Sequence, residues 1–335
     1  MNMDRYERQM MLPEIGEIGQ RRLGDARVLV IGAGGLGAPV LQYLAGAGIG
    51  HITIVDPDKI ERSNLHRQPL FGETNLGQPK AETARSILLN LNKDISITAH
   101  VVALDPDNVA DLTRNMDVVL DCADSFAVTY TLSDHCFDMN IPMISASVLS
   151  ANGYVGGFCG GAPSVRAVFP DLPSSLESCA TAGVMGPVVG LLGALQAQMC
   201  MTYLLAIEPS PLSPLGKLVS VDALKFSFGG FRFDNAPEPN EACYRFISSD
   251  AITAEDFVIE LRGDDEAAQP IIPGAKRILI TDFETVRPQP HAGAPRAVLV
   301  CHSGLRAWHA AHNLRSWWDG PVALVAAGHL TGDYS

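Results

Sequence analysis

Residues 27–58, reading RVLVIGAGGLGAPVLQYLAGAGIGHITIVDPD, constrain this chain more than any other stretch. Residues 28–31 are a short apolar run of the kind that forms a parallel strand covered on both faces. The run breaks into Gly32-Ala33-Gly34-Gly35-Leu36-Gly37, after which Leu36, Val40, Leu41, Leu44 and Ala45 recur at helical spacing. A second apolar strand, 52–55, ends at Asp56. The order predicts a βαβ unit. Gly32 permits the tight turn, Gly34 lets a phosphate approach the backbone, and Gly37 lets helix and strand pack closely. Unpaired N–H groups at the helix start attract a phosphate, and Asp56 is placed to hold a ribose hydroxyl. A glycine pattern alone is as readily a mere strand–helix turn. Strand, helix, second strand and acid in order tip the reading to nucleotide binding, without fixing which nucleotide.

A chain of 335 residues buries a substantial core and is expected to hold two domains. Its net charge of −13 argues against nucleic acid or an anionic membrane as a partner. Residues 1–11 carry charges throughout and show no secretory signal, and seven cysteines, odd in number and unclustered, fit a reducing cytoplasm. Residues 186–207 are the long apolar stretch, but Gln196 and Gln198 interrupt it, so it reads as a buried helix rather than a membrane span.

Along the chain, residues 4–9 are polar and read as a solvated first helix. A polar loop, 60–68, should lie beside the glycine turn. Lys80 follows a Gly-Gln-Pro turn and opens a helix, where a lysine opposes the macrodipole; unless solvated, it wants an anion. Residues 96–103, 117–121 and 142–147 read as further strands, and 154–159 as the start of a more antiparallel region. Ligands of open α/β sheets sit beyond the carboxyl ends of the strands, so Asp56, Asp58 and Asp124 are expected to converge on one crevice. Residues 160–182 form a long aperiodic loop with Cys179 near its end. A buried structural cysteine is the ordinary reading, and the loop position moves it towards a reactive thiol. Residues 218–221 and 226–233 resemble a hairpin, and 235–240 a linker. A second pattern then begins, with strands at 257–261, 297–300 and 321–326 and a helix at 308–317. The domains are expected at 1–240 and 250–335.

Together, Arg5-Tyr6-Glu7-Arg8-Gln9, GAGGLG, IVDPD, SNLHRQ, GQPK, LDCADS and SCATAGVMGP resemble the ThiF/MoeB/HesA family of adenylating enzymes, relatives of the ubiquitin-activating enzymes. The match runs over about residues 5–234, and the tail resembles a shortened rhodanese domain, as in MoeZ-type fusions. The resemblance implies an α/β chain: a Rossmann-like, mostly parallel adenylation domain followed by a small α/β rhodanese-like domain. It also implies ATP-dependent adenylation of the C-terminal glycine of a small ubiquitin-like sulfur carrier ending in Gly-Gly, then sulfur transfer to a thiocarboxylate. The implied sulfur donor is a cysteine desulfurase or thiosulfate.

By the same resemblance, Arg67 and Lys80 absorb charge on the leaving pyrophosphate, and Arg8 reaches in from the partner of a homodimer. Asn64 and Gln68 position polar groups, with Gly32, Gly34, Gly35, Gly37, Asp56 and Asp58 around the nucleotide, and Asp124 holds magnesium. Cys179 meets the activated carrier, and Cys301, in the C-x-x-G-x-R loop 301–306, carries the persulfide. Backbone N–H groups and Arg306 are expected to depress the Cys301 pKa.

Several positions depart from the family. Many members bind structural zinc through two C-x-x-C pairs; here Ser164 and Ala167 stand at the first pair and only Cys243 remains of the second, so no zinc is expected. Ser125 replaces the asparagine usual after the magnesium aspartate, and Glu260-Leu261-Arg262 stands where rhodaneses usually read Asp-Val-Arg. Competing readings are a peptide or other carboxylate adenylating enzyme with a docking tail, a nicotinamide-dependent oxidoreductase and a non-catalytic scaffold. Lys80, Arg67 and Asp124 argue against the oxidoreductase, since a dinucleotide needs no triphosphate clamp.

Overall fold

In the computed structural model, which describes residues 3–172, 183–206, 213–239 and 244–328, the glycine-turn strand sits inside a wide sheet. Strands β1 (Arg27–Ile31), β2 (His51–Val55), β3 (Ser96–His100), β4 (Val118–Asp121), β5 (Met143–Leu149), β6 (Asn152–Phe158), β7 (Lys217–Asp222) and β8 (Ser227–Arg232) pair in the order β3-β2-β1-β4-β5-β6-β7-β8. Pairing is parallel from β3 through β5 and antiparallel from β5 to β8. Strand β1 is covered on both faces, as its unbroken apolar run predicts: Val28 and Val30 pack into one core, Leu29 and Ile31 into another. The third strand stops at His100 rather than running to Ala103. His100 pairs with Val55, where β2 ends, so nothing remains to pair with Val101 and Val102, and both are exposed.

The helices of this part are α1 (Glu7–Met10), α2 (Gly16–Asp25), α3 (Gly37–Ala47), α4 (Lys80–Leu91), α5 (Val109–Thr113), α6 (Phe126–Asp138), α7 (Val165–Val168) and α8 (Gly186–Leu204). Helix α3 ends at Gly48, which is left-handed at φ +85°, and the Tyr6 ring fills the space where a Cβ would stand. By length and composition α8 could cross a membrane. One face of it packs into the core. Val188, Val189, Leu192 and Ala197 are buried, and Gly193 lets it close on Leu36 and Pro39 beside α3.

A second, all-parallel sheet is formed by β9 (Arg245–Phe246), β10 (Phe257–Glu260), β11 (Lys276–Arg277), β12 (Ala297–Cys301) and β13 (Val322–Ala326), in the order β11-β10-β12-β13-β9. Helices α9 (Phe283–Val286) and α10 (Leu305–Leu314) accompany it. Helix α10 starts at Leu305, ahead of the expected Trp308, because left-handed Gly304 caps it and turns the backbone onto Cys301.

One apolar interior runs under both sheets. It joins Leu29 and Ile31 of β1 to Leu299 and Cys301 of β12, through Ala127 and Tyr130 of α6. At its rim, buried Arg166 donates to both oxygens of Asp134 at 2.6 and 2.9 Å and to Tyr244 O at 3.1 Å. Its guanidinium lies 4.7 Å from the Tyr130 ring and 5.4 Å from the Trp308 ring. Nearby, Ser164 donates from Oγ and N to Glu238 at 2.6 and 2.7 Å, tying the start of α7 to the segment that leads into the small sheet.

Candidate functional site

The four glycines of the turn divide by what surrounds them. Gly32, at φ +93°, has Cys122 O 2.7 Å from where a Cβ would stand, and Gly37 has Gly32 O at 1.9 Å, so both are fixed by close packing. Gly34 meets only Gln68 Nε2, at 3.5 Å, which leaves its backbone open for a ligand to approach. Gly35 lies under Val189 of α8 and the aliphatic stem of Arg67. Asp56 closes the turn from below, its Oδ2 accepting from Ala33 N at 2.7 Å and its Oδ1 from Asp58 N at 2.8 Å. Burial pushes its pKa up to about 6, against the pull of Lys80. Each oxygen keeps a lone pair for a hydroxyl.

Lys80 opens α4 with its side chain almost wholly buried, and the anion it needs is Asp58, whose Oδ2 lies 2.7 Å from Nζ. Asn64 is buried, its Oδ1 accepting from Glu61 N and its Nδ2 donating to Ser63 Oγ. Arg67 reaches back to Ser63 O at 3.1 Å and lies against His66. Buried Gln68 has an Oε1 with no hydrogen-bond partner. A buried amide oxygen without a donor marks a place where a ligand donor fits. Asp124, on the loop between β4 and α6, is exposed and has no ionic partner among the described residues. Asp56, Asp58, Lys80, Arg67 and Gln68 thus gather around the glycine turn, and Asp124 follows two residues after Cys122, whose carbonyl packs on Gly32.

Arg8 is not brought to this crevice within one chain. Helices α1 and α2 sit by the far end of α3, where Gln9 and Gln20 both donate to Ala47 O. An eleven-residue helix puts that end about 16 Å from the glycine turn. Cys179 lies outside the described residues, as does Cys243.

Two residues that hold the crevice in shape had no role in the sequence reading. Gln196, fully buried in α8, donates from Nε2 to Asp121 O at 2.7 Å and Ile144 O at 2.9 Å, clasping the carboxyl end of β4 to the amino-terminal part of β5. The Cys122 thiol donates to its Oε1. Asp121, also fully buried, accepts from Thr129 Oγ1 at 2.7 Å, Ser145 Oγ at 2.8 Å and Ala123 N at 3.2 Å, which fixes the loop bearing Asp124. Burial pushes the Asp121 pKa up to about 6. The available signal was the pair of amides, Gln196 and Gln198, in an apolar helix, since an amide that is buried there must find partners.

In the small sheet, Cys301 ends β12 with its sulfur buried and facing the start of α10. Its Sγ accepts from Gly304 N at 3.1 Å and Ala307 N at 3.3 Å. The expected depression of its pKa is corrected: burial pushes the thiol up, and the N–H groups and Arg306 only partly oppose it. Arg306 is itself paired, donating to Glu266 Oε2 at 2.7 Å and to Oε1, and its Nη1 also reaches Leu261 O at 3.4 Å. Below, Glu260 and Arg262 form a buried two-point pair at 2.8 Å. A Cβ on Gly304 would touch Ala127 of α6 at 3.4 Å, so the cysteine loop seats on the first turn of the helix that follows Asp124.

The ThiF family model matches residues 6–244. Among curated proteins, the chain is 39% identical over 284 residues to "Adenylyltransferase and sulfurtransferase MOCS3" of Bos taurus, covering 84% of this chain and 62% of that one. It is 37% identical over 238 residues to "SAMP-activating enzyme E1" of Haloferax volcanii, covering 70% of this chain and 87% of the relative. The solved structure of E. coli MccB with ATP superposes with a TM-score of 0.61 at 25% identity, covering 70% and 73% of the two chains. The chain spans about three-fifths of the length of the adenylyltransferase-and-sulfurtransferase relatives it matches.

Proposed function

The chain belongs to the ThiF family, and we propose that it binds ATP, adenylates the C-terminal glycine of a small ubiquitin-like sulfur carrier, and transfers sulfur to it as a thiocarboxylate. One observation carries the reading. The open glycine crevice and the Cys301 loop meet on α6, with Asp124 just before the helix and Gly304 against Ala127 in its first turn. Activation and sulfur delivery are thereby neighbours in a single chain.

The nucleotide fits the unbonded Gln68 Oε1 and the open Gly34 backbone. The carrier's carboxylate oxygen attacks the α-phosphorus, and pyrophosphate leaves with the bonding pair. Arg67 and Lys80, beside the glycine turn, are the proposed cations for that charge. Among the described residues no group of three or more ligands could hold a metal by itself. Asp124, with phosphate oxygens completing the set, suits magnesium, which usually binds through one or two carboxylates and phosphate. When bound, magnesium neutralises phosphate charge. The Cys301 persulfide then attacks the acyl carbon and AMP departs. That attack leaves the carrier as an acyl disulfide on Cys301. Cys179 is the proposed thiol that attacks the Cys301 sulfur, releasing the thiocarboxylate and leaving a Cys179–Cys301 disulfide for an external thiol to reduce. The role is supported by Gly186, seven residues on, abutting His66 O.

The same reading makes the protein a homodimer with Arg8 acting in trans, since Arg8 lies at the wrong end of α3 for its own crevice. Cytoplasmic residence is supported by five described cysteines, all buried and free. Absence of structural zinc is supported by the Ser164–Glu238 clasp, and near-stoichiometric zinc in elemental analysis would overturn it. The fully buried Cys301 thiol favours a second reading, in which a peptide carboxylate is adenylated and the tail only docks.

The test is isotope exchange between pyrophosphate and ATP. Exchange should require magnesium and a Gly-Gly carrier, and Asp124→Ala should slow it at least about 100-fold. Exchange with an unrelated peptide but not the carrier would support the second reading, and wild-type-like exchange by Asp124→Ala would remove Asp124 from the site.

A further inference from the structure

The guanidinium beside Cys301 is already occupied. Arg306 makes two hydrogen bonds to the carboxylate of Glu266, which is anchored in turn by Gly263 N donating to its Oε2 at 3.2 Å. The pair is only partly open to solvent, with side-chain exposures of 23% and 33%. The next cation, Arg262, is matched by Glu260 in a buried pair. His302, exposed at the loop tip, lies close enough to feel Glu266. Acid and base around the sulfur therefore cancel in pairs, and neither guanidinium is left over for an incoming anion.

Sulfur donors differ in charge. Thiosulfate is a dianion whose sulfonate end wants a cation. To reach Cys301 it must displace Glu266 from Arg306 and then lie beside the displaced carboxylate. A thiol persulfide carries at most one charge on its terminal sulfur and needs no guanidinium. Resting on the sulfur-transfer reading above, we propose that Glu266 sets donor specificity at Cys301, closing Arg306 to small dianionic donors and leaving the site to persulfides.

The exchange balances for either donor. With thiosulfate, the Cys301 thiolate attacks the outer sulfur, the S–S bond breaks, and sulfite leaves with the electron pair. With a cysteine persulfide, the same attack on the terminal sulfur releases cysteine thiolate. Both leave a persulfide on Cys301 with no external oxidant or reductant.

The experiment loads full-length protein with thiosulfate or with cysteine persulfide and follows the added sulfur on Cys301 by mass spectrometry. Glu266→Gln keeps the acceptor geometry without the charge, and Glu266→Ala removes both. Both variants should load from thiosulfate at least tenfold faster than wild type, with loading from cysteine persulfide within threefold. An unchanged thiosulfate rate in both variants, or a parallel fall with both donors, would overturn the role of Glu266 while leaving sulfur transfer standing. Failure of wild type to load from either donor would overturn the sulfur-transfer reading itself, and this inference with it.

Discussion

At the strand ends of the large sheet Asp124 is exposed and Gln68 Oε1 is unbonded, whereas at the end of β12 the Cys301 sulfur is buried under two N–H donors. Both regions pair a cation with a carboxylate, Lys80 with Asp58 and Arg306 with Glu266. The surroundings differ. The crevice keeps polar groups and open backbone for a ligand of many atoms, while the loop is shaped around one sulfur and has spent its hydrogen bonds. An open site takes its electrostatics from what enters it, and a closed one carries its own.

The largest expected effect separates the two regions outright. Cys301→Ala should abolish thiocarboxylate formation on the carrier, read by mass spectrometry, while pyrophosphate exchange continues. Full conversion by that variant, with free sulfide excluded, would reduce the small sheet to a docking element.

A second experiment asks whether the crevice is complete in one chain. Arg8→Ala and Lys80→Ala should each be inactive alone. Once mixed and re-equilibrated they should recover about a quarter of wild-type activity, because one site in each mixed dimer holds both intact residues. No recovery, with subunit exchange confirmed, would place Arg8 in its own subunit's site or outside any site.

The smallest effect concerns the buried support of the crevice. The Asp121 pKa is raised in the folded chain to about 6, so its stabilising contribution is full below the unfolded value near 4 and is lost as pH rises through 6. Wild type should therefore lose about 1–3 kcal/mol relative to Asp121→Asn between pH 5 and 7.5, measured by urea unfolding. A difference that stays flat with pH would mean that Asp121 is ionised throughout.

What could be read from the chain was local. The glycine turn, the acid at the end of β2 and the lysine opening α4 all declare themselves within a few residues, because turn geometry and helix ends impose fixed spacing. The Cys301 loop was legible in the same way, down to the donors that meet its sulfur. Its pKa was misjudged because a motif shows donors but not the depth at which the thiol is buried. Glu266 meeting Arg306, Gln196 reaching Asp121 and Ile144, and Arg166 caught between Tyr130 and Trp308 were invisible for one shared reason. Each joins residues far apart in sequence, and such pairs leave no period or spacing to read.

The apolar interior that passes from β1 through α6 to β12 ties the fates of the two sheets together. Arg166 and Tyr130 of the larger part and Tyr244 and Trp308 of the smaller one form a single aromatic and ionic knot at its edge. Neither sheet can part from the other without wetting that interior and stranding a buried guanidinium. In calorimetry the chain should therefore melt in one cooperative endotherm, and a cut in the segment joining the sheets should leave the two pieces associated until that temperature is reached.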